Sequence, residues 1–165
     1  MISPAQDLLL LRLLTPVSKF YTAKAAVSVV SEGLECFGGQ GYIEDTGLPG
    51  LLRDVQVLPI WEGTSSVMSL DVVRALQKTG GEALVALQSR VEQIVQHSPS
   101  ALSPSGCAIS SSMSNIVKTI HSDPDRIQAN ARDLCLSIAH TYIAALLLGM
   151  TPDFCLDYLD KLYFI

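Results

Sequence analysis

The sequence predicts an all-α fold, an antiparallel helical bundle, on three observations. Apolar residues recur at helical spacing almost everywhere along the 165 positions. No run alternates with period two for long enough to demand a strand. Gly38-Gly39, Gly80-Gly81 and the Ser/Pro-rich stretch 98–106 break the periodicity where helices of a bundle would turn back. No internal repeat is visible.

The elements follow in order. Val17, Phe20, Ala23, Val27, Val30, Leu34 and Phe37 form one stripe. Thr15 is a good N-cap for that helix, and Pro16 suits its first position, where no N–H is needed. Gly38-Gly39 ends it. Residues 38–61, with Pro49 and Pro59, read as an irregular connection with one helical turn near Leu51. Thr64 caps a second helix running to about Lys78, with Val67, Leu70, Val73 and Leu76 facing inward. A third helix carries Leu84, Leu87, Val91 and Ile94. Residues 98–106 are expected as a loop and Ser110 to Ser112 as a polar turn, with a weak helix over 109–121. Asp123-Pro124 opens a long helix with Ile127, Leu134, Ile138, Tyr142 and Leu146 near one another, and Asp153 to Leu162 gives a last short one.

Composition narrows the functional classes. Only 16% of residues are charged against 48% hydrophobic, less surface charge than a small soluble monomer carries. The chain therefore buries surface against a partner or belongs to a larger body. Its net charge is −5, and neither half is basic: residues 1–78 hold six Lys/Arg against eight Asp/Glu, the remainder five against eight. An overall phosphate-binding footprint is absent. Cys36, Cys107, Cys135 and Cys155 lie far apart, so buried free thiols are expected rather than a disulfide framework or metal cluster. His97, His121 and His140 have no ligand spacing and read as helix-end or core residues, and Met68, Met113 and Met150 as gap-fillers. No basic cleavable leader is expected. Leu8 to Leu14 is too short to span a bilayer, and Leu134 to Met150 reads as a buried helix.

Chemistry concentrates between residues 37 and 66. Glu62 follows Ile60-Trp61 and precedes Gly63. A carboxylate held against an indole and aliphatic groups is poorly solvated, which makes it a stronger base than an exposed one. Gly63 lets a ligand approach the backbone. Thr64 and Ser65 offer hydroxyls at a helix start, where free N–H groups favour phosphate or a polarised carbonyl. The bland alternative is that Glu62 is a solvated carboxylate stabilising the helix dipole. Gly38, Gly39 and Gly41 form either a tight turn or a nest for pyrophosphate. They are not a dinucleotide-fold fingerprint, because they follow a helix. Arg53-Asp54 reads as an internal ion pair that pins the loop.

The run Phe37-Gly38-Gly39-Gln40-Gly41-Tyr42, the downstream Arg53-Asp54 and Trp61-Glu62-Gly63-Thr64 resemble the C-terminal helical domain of the flavin-dependent acyl-CoA dehydrogenases. The resemblance covers about residues 8–78. The flanking Leu13-Leu14-Thr15-Pro16-Val17-Ser18-Lys19-Phe20 and Leu70-Asp71-Val72-Val73-Arg74 look most like the AidB-like branch. It implies a dehydrogenase core over 1–78 and a helical extension over 79–165, with the family's N-terminal helical and middle β domains absent.

The resemblance further implies that Glu62 takes the pro-R α-proton of an acyl-CoA while a β-hydride passes to flavin N5, giving a trans-2-enoyl-CoA. It places Gly63 at the substrate, Thr64, Ser65 and Ser66 at the FAD, and Glu35, Cys36, Phe37, Gly38 and Gly39 at the FAD of a neighbouring subunit, hence a homo-oligomer. An electron-transfer acceptor and a mitochondrial or cytoplasmic setting come with the family. Glu35, Trp61 and Ser66 depart from its commonest residues. Two alternatives stand beside this reading. One is a non-enzymatic oligomerisation or regulatory short form. The other is a nucleic-acid-protecting module that uses Arg74, which the acidic balance disfavours.

Overall fold

The computed structural model describes residues 4–122 and 126–150, and among them every regular element is helical. The expected helices at Asp123-Pro124 and at 153–162, and Cys155, lie wholly or partly outside the described residues.

Helix α1 (Pro4–Cys36) runs through Thr15-Pro16 instead of starting there. A mid-helix proline costs about 3 kcal/mol. Here Pro16 is itself buried, and Leu10, Leu13, Val17 and Phe20 are buried on either side of it. At roughly 1.5–3 kcal/mol per buried side chain, that face outweighs the break. Thr15, expected as a cap, donates its hydroxyl to the Leu11 carbonyl at 2.6 Å. The expected stripe holds only as far as Ala23. Val27, Val30 and Leu34 are half-buried and Phe37 is exposed.

Two short 3₁₀ turns (Gly38–Gly41 and Glu44–Thr46) and helix α2 (Leu48–Val55) make the irregular connection. Helix α3 (Ser65–Lys78) starts where expected: the Thr64 hydroxyl accepts from the Val67 N–H at 3.4 Å. Val73 and Leu76 face inward, as do Ser69, Val72 and Ala75. Val67 and Leu70 do not; both are exposed, on the face turned away from the bundle. Gly81 closes the helix by donating to the Leu76 carbonyl at 3.0 Å and leads directly into α4 (Glu82–Gln96). On α4, Leu84, Leu87 and Val91 are buried and Ile94 half-buried.

The loop expected over 98–106 is shorter, because a 3₁₀ turn occupies Ser100–Leu102 and α5 begins at Ser103 with Pro104 in its first turn. Helix α5 (Ser103–Ser122) thus absorbs Ser110 to Ser112 and exceeds the weak helix expected. Residues 126–130 form turns, and α6 (Ala131–Met150) follows. Ile127 therefore precedes the helix, yet still packs on the core.

Helix α6 is long and apolar enough to cross a membrane by length and composition. In this fold it packs against α1, α3, α4 and α5, with Leu134, Cys135, Ile138, Ala139, Ala144, Ala145 and Leu148 buried. Burial pushes the Cys135 thiol up to about 12. Cys36 and Cys107 are free but exposed, against the expectation of burial: the first ends α1 beyond the bundle, the second lies on the outer face of α5. Met113 fills the core, whereas Met150 is exposed at the end of α6. The histidines match their reading. His97 and His121 each make a 2.7 Å contact from Nδ1 to a carbonyl at a helix end, and His140 is half-buried.

Candidate active site at the Glu62 turn

Residues 56–63 descend from α2 in consecutive turns, with the Ile60 and Trp61 N–H groups both donating to the Val57 carbonyl, at 2.9 and 3.0 Å. The chain then reverses sharply. Glu62 has φ 54° and Gly63 φ 109°. A positive φ at a residue with a Cβ is uncommon and holds only where surrounding contacts enforce it. Two contacts do so. Thr64 locks the downstream side as the α3 N-cap. From the other side, the Lys19 ammonium on α1 donates to the Gly63 carbonyl. The φ of 109° is what favours glycine at position 63, since a Cβ there would meet only the movable end of Met68, Cε at 2.4 Å.

The Glu62 side chain is exposed, and Ile60 and Trp61 beside it are 61% and 55% exposed. The dry apolar surround expected for the carboxylate is not supplied by this chain, because its apolar neighbours face solvent with it. Gly63 is half-buried, Thr64 and Ser66 are exposed, and Ser65 is half-buried. The N–H groups of Ser65 and Ser66, in the first turn, have no intrahelical acceptor by geometry and open outward with those hydroxyls.

The glycine motif forms a separate cluster. Cys36, at the end of α1, stands 17 residues beyond Lys19, about 25 Å along the helix. Glu35, Cys36, Phe37, Gly38 and Gly39 are all exposed there, away from the Lys19 anchor of the Glu62 turn. Gly41 is buried against the preceding helix, and a Cβ would lie 2.1 Å from the Leu34 carbonyl oxygen, so this glycine is demanded by close approach.

The loop pin is not Arg53-Asp54. Arg53 reaches back to Glu44 in a two-bond pair at 2.9 and 3.1 Å, which holds the Glu44 carboxyl below its ordinary range. Adjacent side chains on a helix diverge, so Asp54 makes no bond to Arg53 and adds only a weaker electrostatic pull on it. Thr46 adds to the pin: its hydroxyl lies 2.8 Å from the Gln40 carbonyl and 3.0 Å from that of Ile43, and it accepts from the Leu48 N–H at 3.2 Å. Arg74 is exposed and bonded to Asp71 at 3.0 Å. The Asp71 carboxylate also takes both Arg12 nitrogens, at 2.9 and 3.0 Å, and those bonds hold its carboxyl low while joining α3 to α1.

Sequence reasoning missed Lys19, Glu44 and Thr46. Lys19 had no local signal, since its acceptor lies 44 residues downstream. Glu44 stands nine residues before Arg53, a separation that no helix or strand period marks. A groove of about 710 Å³ between α5 and α6, floored by Ile109, Ile116 and Leu134 and edged by Asn115, Ser137 and His140, contains none of the expected site residues.

The all-helical fold and the ordered motifs define the C-terminal helical domain of an acyl-CoA dehydrogenase, as comparison with known proteins shows. Residues 5–77 match the family described as acyl-CoA dehydrogenase, C-terminal domain. Residues 82–151 match that described as acyl-CoA dehydrogenase 11 C-terminal domain-like. The chain belongs to the acyl-CoA dehydrogenase family and carries its C-terminal helical domain.

Among relatives, acyl-CoA dehydrogenase family member 11 of Caenorhabditis elegans is 46% identical over 158 residues, 89% of this chain and 25% of its own length. The putative acyl-CoA dehydrogenase AidB of Escherichia coli is 44% identical over 77 residues, 47% of this chain and 14% of its own. The crystal structure of Caenorhabditis elegans ACDH-11 in complex with C11-CoA superposes with a TM-score of 0.84 at 44% identity, over 89% of this chain and 26% of that one. The chain thus spans about a quarter of the length of this Caenorhabditis elegans relative.

Proposed function

We propose that this chain is the C-terminal part of an FAD-dependent acyl-CoA dehydrogenase-like oxidoreductase, with Glu62 the base that takes the α-proton of an acyl-CoA. Residues 1–78 are the dehydrogenase core and 79–165 a helical extension. The observation that carries this reading is the Glu62 turn. A carboxylate is held in a left-handed conformation, fixed by a helix cap on one side and by a lysine from another helix on the other. Strain of that kind is maintained where a side chain must be aimed.

The residues fit one wall of a flavin site. The Thr64 and Ser66 hydroxyls and the first N–H groups of α3 open outward as hydrogen-bond donors, and Gly63 leaves the backbone accessible. When bound, FAD supplies the hydride acceptor for the β-carbon. The Glu62 carboxylate accepts the α-proton, and the two electrons of the C–H bond remain with the substrate to form the new double bond as the β-hydride leaves. Efficient proton removal needs a desolvated carboxylate. Glu62 is exposed in this chain, and on this reading the excluding wall comes from parts of the complete protein outside it. Glu35 to Gly39, clustered at the other end of α1, suit contact with the cofactor of a second subunit. An electron-transfer acceptor completes the cycle.

Glu62→Gln in the complete flavoprotein should retain bound flavin and slow flavin reduction by acyl-CoA roughly 10²–10⁴-fold in rapid mixing. Unchanged reduction would remove Glu62 from the chemistry. The same exposure favours a second reading for the isolated chain, a non-catalytic oligomerisation form. A purified chain that is colourless and self-associates would support it, whereas a yellow one would argue against it.

A further inference from the structure

We infer that Lys19 is a positioning residue for Glu62: its ammonium holds the Gly63 carbonyl and so keeps the Glu62-Gly63 turn in the shape that presents the carboxylate. The inference rests on the reading of Glu62 as the base.

The contact joins the middle of α1 to a turn 44 residues away, and it is part-buried although the turn around it is open. Without it, the turn keeps the Ile60 and Trp61 bonds to the Val57 carbonyl before it and the Thr64 cap after it, and Gly63 loses its tie to α1. Glu62, at φ 54°, would then relax toward the ordinary φ < 0 regions, swinging its side chain off the direction in which it is now aimed. An alkylammonium suits the task, since it donates without accepting and its stem packs along the helix. Lys19 sits in the half of α1 whose neighbours Val17 and Phe20 are locked in the core, so the anchor is rigid.

Two readouts test this. Trp61 is the single tryptophan of the chain and adjoins Glu62. In the 165-residue chain, Lys19→Met should leave the far-ultraviolet circular dichroism intact, lower the fluorescence anisotropy of Trp61, and speed amide exchange at Ile60 and Trp61, whose N–H groups bond to the Val57 carbonyl, roughly tenfold. Lys19→Arg should restore most of both. In the complete flavoprotein, Lys19→Met should slow flavin reduction roughly 10- to 100-fold with KM for acyl-CoA unchanged, and Lys19→Arg should recover most of the rate. Unaltered anisotropy and exchange in Lys19→Met would overturn the inference. So would a slow Glu62→Gln enzyme beside a Lys19→Met enzyme of normal speed, which would leave the base assignment standing. A Glu62→Gln enzyme of normal speed would overturn the base instead, and the Trp61 and exchange measurements would then decide the turn contact by themselves.

Discussion

Residues 24–63 and the bundle that carries them are built on opposite terms. In the bundle, one buried cluster joins Leu13 and Phe20 of α1 to Val72 of α3, Leu87 of α4, Ile109 of α5 and Ile138 of α6. In the arm, only Gly41 is buried among the described residues. Val29, Phe37, Tyr42, Ile43, Leu51, Val57, Ile60 and Trp61 are exposed there. The arm is regular all the same. Local hydrogen bonds hold it: the Glu44–Arg53 pair, the Thr46 hydroxyl, the turns around Val57 and the Lys19 tether. An apolar surface of this extent, shaped but uncovered, is of the kind that marks interaction sites. The glycine run, Arg53-Asp54 and Trp61-Glu62-Gly63 lie on the arm, and the packing lies in the bundle. On the proposed reading, the bundle is the support and the arm is the part that the rest of the site closes over.

The largest expected contrast is between two phenylalanines on or next to the same helix. Phe20→Ala should cost about 3–5 kcal/mol in denaturant unfolding of this chain, as a filled core position does. Phe37→Ala should change stability by no more than about 0.5 kcal/mol, because its side chain is mostly exposed. Equal losses would erase the distinction between the regions.

Next in size is Gly41→Ala, the one buried position of the arm. A methyl group there collides with the Leu34 carbonyl, and the backbone must shift. The cost should be about 1–3 kcal/mol, confined to the arm, and visible as faster proteolysis between residues 38 and 47 while α3 to α6 stay protected.

A smaller effect sharpens the bundle side. His140 packs edge-on against Tyr21 at 5.4 Å between ring centroids, and burial lowers its pKa. The folded state then binds the proton less readily than the unfolded state. Its contribution is full above the unfolded histidine value of about 6.5 and declines as pH falls through that value toward the lower folded one. His140→Phe keeps the ring contact and should flatten the loss of melting temperature between pH 7.5 and 5. An equally steep loss in the variant would place the titration elsewhere.

How much was legible follows the same division. The α3 start was readable, because Thr64 and the apolar run after it are local signals, and Gly80-Gly81 marked the turn into α4 just as locally. The Thr15-Pro16 start failed because burial on both sides of Pro16 overrode a local rule. Val67 and Leu70 failed because apolar spacing reports a face and not what covers it. At the site, Glu62 and Gly63 were legible as a motif, and the left-handed turn fits the glycine. The surround of Glu62 was not. Adjacency to Ile60 and Trp61 implied an apolar wall, yet neighbours along the chain bury a carboxylate only when something packs over them all. Lys19, Glu44 and Thr46 depend on contacts between segments that no single window contains.

The central claim is that the arm, with Glu62 on it, is closed by surfaces outside this chain. Carbodiimide labelling of carboxylates, read by mass spectrometry, tests it directly, with Glu82 on the exposed face of α4 as the internal reference. Glu62 should label as fast as Glu82 in the 165-residue chain and be strongly protected in the complete flavoprotein. Equal labelling of Glu62 in both would leave the carboxylate in open water and contradict the account.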